Sequence, residues 1–402
     1  TPSSAILSLY STPPGASSKM GQRKRGGGIV SGSADGRIRV WDSGDNMRPG
    51  ALFSTADLGS YRPSVSSLCW DVARDLLLIG TRGAEVYEIN SSDGSDQHGG
   101  PLAQGHCEYE LWGISVHPSK AQVCTVGDDK TVRVWDTATK SLLKMTRLDT
   151  AARTCAYAPD GMTIAVGLGA PADDATGPGR SKKDGALVVL NEEDLTVIFE
   201  TRDTKKWIRH CRFSPDNNVL ALASGDSSIY LYNVEDFTSI GRCRGCSGPV
   251  TRIDFSSDSQ WIHANSAESE LCFFDANTGK QQKSVIAMKD VDWDTWSLTL
   301  GWSVQGLWPA IPDGTNVVAC DRSKSGAVIA SADTFGRIRM TRYPCVMQSG
   351  SYLEYRGHSA ARIADLRFSN DDSMLFSIGG RDRCLMQWRH GVATVRMIGS
   401  GV

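Results

Sequence analysis

The 402-residue sequence predicts an all-β fold, a β-propeller of eight four-stranded blades, with seven blades as the alternative count. Three observations indicate this fold. A unit of three consecutive strands recurs along the chain, apolar and polar residues alternate with a period of two inside those strands, and no long stretch of 3.6-residue period competes. Radial repetition of such sheets leaves only short edges open to solvent, which keeps a chain so rich in strands from aggregating.

The repeated unit passes through an apolar strand and a tight turn with an acid, then ends in a strand that closes on an aromatic residue. The clearest copies span 29–42 and 123–136, and both end in Trp-Asp. Successive copies end 42 to 66 residues apart, and each is preceded by its own first strand. The predicted blades form a single propeller domain over 1–402, at about 5–56, 65–100, 105–148, 153–200, 208–243, 250–300, 313–355 and 358–400.

The two predicted regions that depart from the repeat are the end of the chain and the connection between blades 6 and 7. The outer strand of blade 8 must come from 392–398 or from outside this chain, and the ring is expected to close between the eighth blade and the first. Four tryptophans of the connection are expected to cover the outside of one blade: Trp293, Trp296, Trp302 and Trp308.

Charge, apolar content and cysteine usage exclude several classes of protein. Lys and Arg number 43 against 45 Asp and Glu, a net charge of −2, whereas a nucleic-acid-binding domain carries a strongly basic face. No run of 18 apolar residues exists, so no membrane span is expected, and no secretory signal is visible. The 11 cysteines are scattered, as in a reducing compartment, and Cys243-x-x-Cys246 lacks a second ligand pair for zinc. The sequence therefore predicts no metal and no cofactor.

The repeat resembles the WD40 repeat, which implies a hydrogen-bonded chain of one His, one hydroxyl, one Asp and one Trp in each complete blade. In blade 3 these are His106, Thr125, Asp129 and Trp135. Blade 8 keeps three of the four types and has Ile378 where the hydroxyl is expected; the three are His358, Asp382 and Trp388. A hydrolase triad is the alternative for such a set, but it needs an exposed nucleophile and an oxyanion hole.

Three stretches lie outside the generic repeat. They span 105–120, 289–309 and 313–345, and they include Glu-Leu-Trp-Gly, Leu-Gly-Trp followed by Trp-Pro, and Tyr-Pro-Cys. Together they resemble segments of the echinoderm microtubule-associated protein-like family. The likeness runs from about residue 26 to residue 388 and corresponds to the second propeller of that family's tandem pair.

The resemblance implies a non-enzymatic, microtubule-associated scaffold that is part of a longer chain with a preceding propeller. The implied partners are tubulin or microtubules and other cytoskeletal or axonemal proteins, in the cytoplasm, on microtubules and in the ciliary axoneme. The alternative is a generic WD40 adaptor of a ubiquitin-ligase or signalling complex, which would share the repeats but not the three stretches. A propeller enzyme would need carboxylates, histidines or metal ligands at the channel mouth, where the first strands supply mostly Ser, Thr, Arg and Trp.

The first candidate binding surface is the rim of the central channel. The residue after the opening apolar residue of each first strand is expected to point toward that rim. On blades 3, 4 and 5 this position holds Trp112, Arg153 and Arg209, with Trp207 close by. Trp and Arg are enriched in interface hot spots, and packing between blades is the alternative role of the tryptophans.

The second candidate surface is the loop at 13–27, which carries Arg23, Lys24 and Arg25. These cations would attract an acidic partner over a range that salt screens within about 8 to 10 Å. A solvated loop without a partner is the alternative that its Gly- and Ser-rich composition suggests.

Overall fold

The computed structural model describes residues 5–11, 28–42, 48–170, 179, 181–308, 314–348, 350–358 and 362–389. These residues form eight antiparallel sheets, one for each predicted blade, which confirms the predicted fold class. Seven sheets have four strands in chain order, and the last has three within the described part of the chain. The chain divides into two compact units, 1–107 and 108–402.

The first unit holds blades 1 and 2. The strands of blade 1 are β1 (Ile6–Ser11), β2 (Gly28–Ser33), β3 (Arg37–Asp42) and β4 (Arg48–Ser54), and those of blade 2 are β5 (Val65–Asp71), β6 (Leu76–Thr81), β7 (Glu85–Asn90) and β8 (Ala103–Gln104). In β6 the side chains of Leu77 and Ile79 are fully buried, whereas Leu78 between them is 38% exposed. This alternation is the period of two from which the strands are predicted.

The second unit begins with blades 3, 4 and 5. Blade 3 consists of β9 (Leu111–Val116), β10 (Gln122–Gly127), β11 (Thr131–Asp136) and β12 (Leu142–Arg147). Blade 4 consists of β13 (Ala152–Tyr157), β14 (Thr163–Leu168), β15 (Leu187–Asn191) and β16 (Val197–Thr201). Blade 5 consists of β17 (Ile208–Phe213), β18 (Val219–Ser224), β19 (Ser228–Asn233) and β20 (Ser239–Arg244).

Blades 6, 7 and 8 complete the second unit. Blade 6 consists of β21 (Val250–Phe255), β22 (Trp261–Ser266), β23 (Leu271–Asp275) and β24 (Gln281–Gln282). Two short 3-10 helices follow, at Ile286–Met288 and Trp302–Leu307. Blade 7 consists of β25 (Val317–Arg322), β26 (Val328–Asp333), β27 (Arg337–Arg342) and β28 (Tyr352–Arg356), and blade 8 of β29 (Ile363–Phe368), β30 (Met374–Gly379) and β31 (Leu385–Arg389).

The second unit closes between its last blade and its first. The N–H of Leu111 in β9 donates to the carbonyl of Gly380 at 3.0 Å, and Leu111 and Ile114 share an apolar cluster with Phe376 and Ile378 of blade 8. The sequence predicts closure between the eighth blade and the first, whereas here the eighth blade closes against the third. Counting repeats gives the order of the blades along the chain, but closure depends on which first strands pack together.

The connection between blades 6 and 7 is part of the core. Trp293 is 4% exposed and Trp296 is 1% exposed, and both pack with Phe273 of blade 6 and Ile329 of blade 7. The ring of Trp293 stacks on His263 with 3.7 Å between centroids. The prediction that the four tryptophans cover the outside of a blade is therefore wrong for these two, because they fill the space between two blades.

Candidate partner-binding rim of the second unit

Each of the six first strands of the second unit carries a β-bulge at its start. In β13, Ala152 pairs with Leu168 and Thr154 pairs with Gly167, which leaves Arg153 without a partner on the neighbouring strand. The same irregularity leaves out Arg209 in β17 and Trp112 in β9. A bulge re-aims the side chain of its extra residue, so these are the positions that can turn away from the sheet.

The structure brings the four rim residues named from the sequence into one row. The guanidinium carbon of Arg153 lies 4.0 Å from the ring centroid of Trp112 and 6.0 Å from that of Trp207. Arg209 lies 4.8 Å from the Trp207 centroid, and Arg362 lies 4.7 Å from the Trp112 centroid. We call this row the Arg–Trp ladder; its members are Arg362, Trp112, Arg153, Trp207 and Arg209. The distances to the rings are those of cation–π contacts.

Arg362 is the member that sequence reasoning missed. It precedes β29 in blade 8, and it joins the ladder because blade 8 closes against blade 3. A search for the residue beside the opening apolar residue of that first strand would have found it, on the side before Ile363 rather than after it.

Arg153 is held at the centre of the ladder. Its side chain is 1% exposed, its Nη2 lies 3.2 Å from Oδ1 of Asp128, and its Nε donates to the carbonyl of Gly169 at 3.1 Å. The indole N–H of Trp112 donates to Oδ2 of the same Asp128 at 3.0 Å. Burial raises the pKa of Asp128, and the charge of Arg153 opposes that shift. Arg153 is therefore a buried cation that contacts both tryptophans and holds them in place. The half-buried Arg209 and the exposed Arg362 face solvent.

Two glycines, Gly169 and Gly225, lie against Trp207 and allow its close packing. Gly169 has φ of +117°, and a Cβ added there would stand 2.7 Å from the Cβ of Trp207. That distance leaves no room for a side chain, and the left-handed backbone favours glycine independently. The backbone N–H of Gly225 also donates to the carbonyl of Trp207 at 2.9 Å. Trp207 is thereby fixed by backbone contacts on two strands' ends.

The rim carries more positive charge than its own carboxylates balance. Burial, followed by the nearby charges of Arg252, Arg362 and Arg153, lowers the pKa of Arg209 to about 10, so its guanidinium remains charged at neutral pH. Among the described residues, no carboxylate bonds to Arg209. Arg252 is paired with Asp365 at 2.9 Å and is already neutralised.

A buried polar layer crosses the channel beneath the ladder. Asp365 of blade 8 bonds to Arg252 of blade 6 at 2.9 Å and to Arg367 at 3.0 Å. Nη2 of Arg367 lies 3.2 Å from Nε2 of His210 in blade 5. Burial and neighbouring arginines lower the pKa of His210 well below its ordinary value, so the imidazole is neutral. The sequence signal for this layer is the charged residue at the third and fifth positions of several first strands, which sequence reasoning did not use.

The other end of the first strands opens into a cavity of about 450 Å³. Its cationic lining is engaged within the protein. Arg212 bonds to the buried Asp254 at 2.8 Å, Arg322 donates to the carbonyl of Asp294 at 3.0 Å, and Arg367 is paired with Asp365. This opening therefore offers an anionic partner less charge than the ladder does.

In blade 3 the structure joins the predicted hydroxyl and tryptophan directly. The indole N–H of Trp135 donates to Oγ1 of Thr125 at 2.7 Å. Oδ1 of Asp129 accepts from the N–H of Thr131 at 3.1 Å and from its hydroxyl at 2.8 Å, and Oδ2 lies 3.7 Å from Nη2 of Arg133. His106, Thr125 and Asp129 are buried and Trp135 is half-buried, so the set lies mainly in the interior of the blade.

In blade 8 the predicted chain of hydrogen bonds is complete. Nδ1 of His358 lies 2.9 Å from Oδ2 of Asp382, its Nε2 lies 2.8 Å from Oγ of Ser377, and the indole N–H of Trp388 donates to the same Oγ at 2.8 Å. The prediction that Ile378 replaces the hydroxyl is wrong by one residue. Trp388 pairs with Leu375, and the hydroxyl stands two residues further along the strand, as Thr125 does beyond Val123 in blade 3.

The other features considered from the sequence are the basic residues at 23–25, a metal site, a membrane span and the Cys-x-x-Cys pair. Arg23, Lys24 and Arg25 lie outside the described residues. Within the described part of the chain, no group of three His, Cys, Asp or Glu residues has the geometry to hold a metal ion, and no helix has the length and apolar character to cross a membrane. Cys243 and Cys246 are free thiols.

Repeated four-stranded antiparallel sheets, joined inside by Trp–hydroxyl bonds, define a β-propeller of the WD40 class. Residues 4–42 match the sequence model of the WD domain, G-beta repeat. Residues 111–390 match the model described as the echinoderm microtubule-associated protein second beta-propeller, a range that coincides with the six blades of the second unit. The chain belongs to the echinoderm microtubule-associated protein family.

Several relatives support this assignment over most of the chain. The 77 kDa echinoderm microtubule-associated protein of Strongylocentrotus purpuratus is 30% identical over 406 residues, covering 90% of this chain and 56% of that protein. Echinoderm microtubule-associated protein-like 2 of Mus musculus is 32% identical over 370 residues, covering 91% and 53%. Echinoderm microtubule-associated protein-like 1 of Homo sapiens is 31% identical over 369 residues, covering 91% and 42%. The chain thus spans about half the length of these relatives.

Proposed function

We propose that this protein is a non-enzymatic scaffold that binds tubulin or microtubules through the Arg–Trp ladder of its second unit. The observation that carries the proposal is the row of alternating Arg and Trp side chains on four blades, in a chain whose relatives are named as microtubule-associated proteins. The generic adaptor alternative is disfavoured because it accounts for the repeats but not for the match over 111–390. The corresponding location is the cytoplasmic microtubule cytoskeleton, and axonemal proteins and the ciliary axoneme are further candidates.

The chemistry of the ladder suits an acidic protein surface. Tubulin presents such a surface, and a guanidinium can bond a carboxylate through two parallel N–H donors. Trp adds a large contact area at little cost in rotamer entropy. Arg209 and Arg362 are the two ladder cations with solvent access, so they are the proposed contact residues, whereas the buried Arg153 supports them.

The test is co-sedimentation of the full chain with microtubules over a series of salt concentrations. The double variant Arg209→Glu/Arg362→Glu is compared with Arg23→Glu/Lys24→Glu, which reverses the same number of charges in the loop at 13–27. We expect the ladder variant to lose binding at moderate salt and the loop variant to lose only the part that fades steeply as salt rises. Loss in the loop variant alone would overturn the ladder as the binding surface. No binding by the unmodified chain would overturn the proposed function.

A further inference from the structure

Four blades contribute arginines at the mouth of the channel in the second unit or directly beneath it. Arg153 comes from blade 4, Arg209 from blade 5, Arg252 from blade 6 and Arg362 from blade 8. Each of the other three is near enough to act on the charge of Arg209. Because Asp128 and Asp365 pair with Arg153 and Arg252, the repulsion that lacks a paired carboxylate is that between Arg209 and Arg362.

The mouth is narrow enough for opposite blades to act on one ligand. Directly beneath it, Arg367 of blade 8 reaches His210 of blade 5 at 3.2 Å across the channel. His210 follows Arg209 in β17, and Arg362 precedes the first residue of β29. Arg209 and Arg362 therefore flank the same opening from blades 5 and 8.

The available carboxylates do not satisfy these two cations. Asp128 is committed to Arg153 and to the indole of Trp112, and Asp365 is committed to Arg252 and Arg367. Glu110 acts on Arg362 electrostatically and is paired with Arg381 at 3.3 Å. Among the described residues, the side chain of neither Arg209 nor Arg362 makes a hydrogen bond or an ion pair; the guanidinium groups contact the faces of Trp207 and Trp112.

Stacking prepares both guanidinium groups for an incoming anion. A guanidinium held over an indole ring keeps its N–H donors at its edge, where they can receive a carboxylate in the plane of the group. Trp112 and Trp207 are themselves fixed by Arg153 between them, so the two donors are presented on a rigid support. Little side-chain entropy is lost when a ligand binds such a preorganised pair.

We infer that Arg209 and Arg362 form a carboxylate-binding clamp at this mouth, which takes acidic side chains of an extended Glu- or Asp-rich peptide segment of a partner protein. The inference rests on the proposed function, because the partner segment would belong to the cytoskeletal protein bound at the ladder. It adds the chemical class of the segment and the two residues that hold it. Because Arg367 and His210 meet across the channel directly beneath the mouth, we place the segment across the mouth and not through the channel.

The test is fluorescence anisotropy of the full chain with a labelled octaglutamate peptide, with a labelled octaglutamine peptide as the neutral probe. We expect the chain to bind octaglutamate and not octaglutamine. Arg209→Gln and Arg362→Gln should each weaken binding by about tenfold, which equals about 1.4 kcal/mol. Arg209→Lys, which keeps the charge but loses the planar fork, should recover only part of the affinity.

The matched control is Arg339→Gln. Arg339 lies on β27 of blade 7, 4.8 Å from the centroid of Tyr352, the same separation as between Arg209 and Trp207. The substitution Arg339→Gln removes one stacked arginine from the same unit, away from the mouth. It should leave peptide affinity unchanged. Equal losses in Arg339→Gln and Arg209→Gln would overturn the clamp by reducing it to net charge. The side chain of Arg362 makes no hydrogen bond among the described residues, so Arg362→Gln keeps the test valid if another variant unfolds.

Two further arms separate the possible outcomes. Inorganic phosphate that binds with the same dependence on Arg209 and Arg362, while octaglutamate does not bind, would overturn the peptide as occupant. Octaglutamate binding to a chain that does not co-sediment with microtubules would contradict the proposed function and leave the clamp standing. Microtubule binding that is weakened by Arg209→Gln and Arg362→Gln, with no octaglutamate binding, would overturn the clamp alone.

Discussion

Replacing Asp129 by alanine isolates the effect of burial on a single carboxylate. Asp129 is fully buried, and its Oδ1 accepts from the N–H of Thr131 at 3.1 Å and from the Thr131 hydroxyl at 2.8 Å. Its Oδ2 lies 3.7 Å from Nη2 of Arg133, whose side chain is 1% exposed. The alanine variant therefore leaves a buried guanidinium without its countercharge and a buried hydroxyl without its acceptor.

The expected loss follows from those contacts. An unmet buried hydrogen-bonding group costs about 1 to 3 kcal/mol, and removal of one partner of a buried ion pair costs about 3 to 5 kcal/mol. Because both effects act at one site and overlap, we expect the free energy of unfolding to fall by about 3 to 5 kcal/mol. Partner binding per folded molecule should be unchanged, since Asp129 lies inside the blade.

The assay is urea unfolding followed by tryptophan fluorescence, with Asp236→Ala as the matched control. Asp236 accepts from the N–H of Thr238 at 3.0 Å and from its hydroxyl at 2.7 Å, so the local geometry is nearly the same. Asp236 is exposed, and its loss should leave the free energy of unfolding nearly unchanged. If the two variants lose equal stability, the argument from burial is refuted. If Asp129→Ala keeps its stability but loses partner binding, the structural role assigned to Asp129 is refuted.

Two further predictions concern the interior of blades 7 and 8. Ser377→Ala should lower the free energy of unfolding by about 1 to 3 kcal/mol, because Trp388 and His358 lose the hydroxyl they share. Urea unfolding measures this loss. An equal loss of stability in Ser373→Ala, in the preceding turn, would contradict the prediction. Burial raises the pKa of Asp321 to about 6 from 3.8, so between those values the folded state holds a proton that the unfolded chain has released. The contribution of Asp321 to the free energy of unfolding therefore falls as pH rises through that window, by about 3 kcal/mol in all. Asp321→Asn should abolish this fall in unfolding titrations and be the more stable form at neutral pH, and identical pH profiles for the two proteins would contradict the argument.

The repeating parts of this protein could be predicted because their causes are local. Alternation of apolar residues sets each strand, as in Leu77, Leu78 and Ile79, and the same pattern located all eight sheets. The rim position was also predictable, because the bulge recurs at the same place in each first strand. It leaves Arg153 and Arg209 without a paired residue on the neighbouring strand. The family was predictable because three stretches outside the repeat carry residues that the fold alone does not require.

The features that the sequence left open depend on contacts between residues far apart in the chain. Ser377 rather than Ile378 supplies the hydroxyl of blade 8 because strand register sets which side chain faces Trp388, and register becomes certain only when the strands are paired. Trp293 and Trp296 entered the core because a space between two blades had to be filled at high packing density.

The sequence by itself therefore determined the strands, the number of sheets, the family and four of the five ladder residues. Only the tertiary structure decided that blade 8 closes against blade 3, that Arg362 consequently joins Trp112, and that Arg153 is buried between two indoles. The physical reason is that the alternation of apolar and polar residues depends only on residues that are neighbours in the chain. Closure, burial and charge balance arise when strands about 250 residues apart, such as β9 and β29, pack side by side.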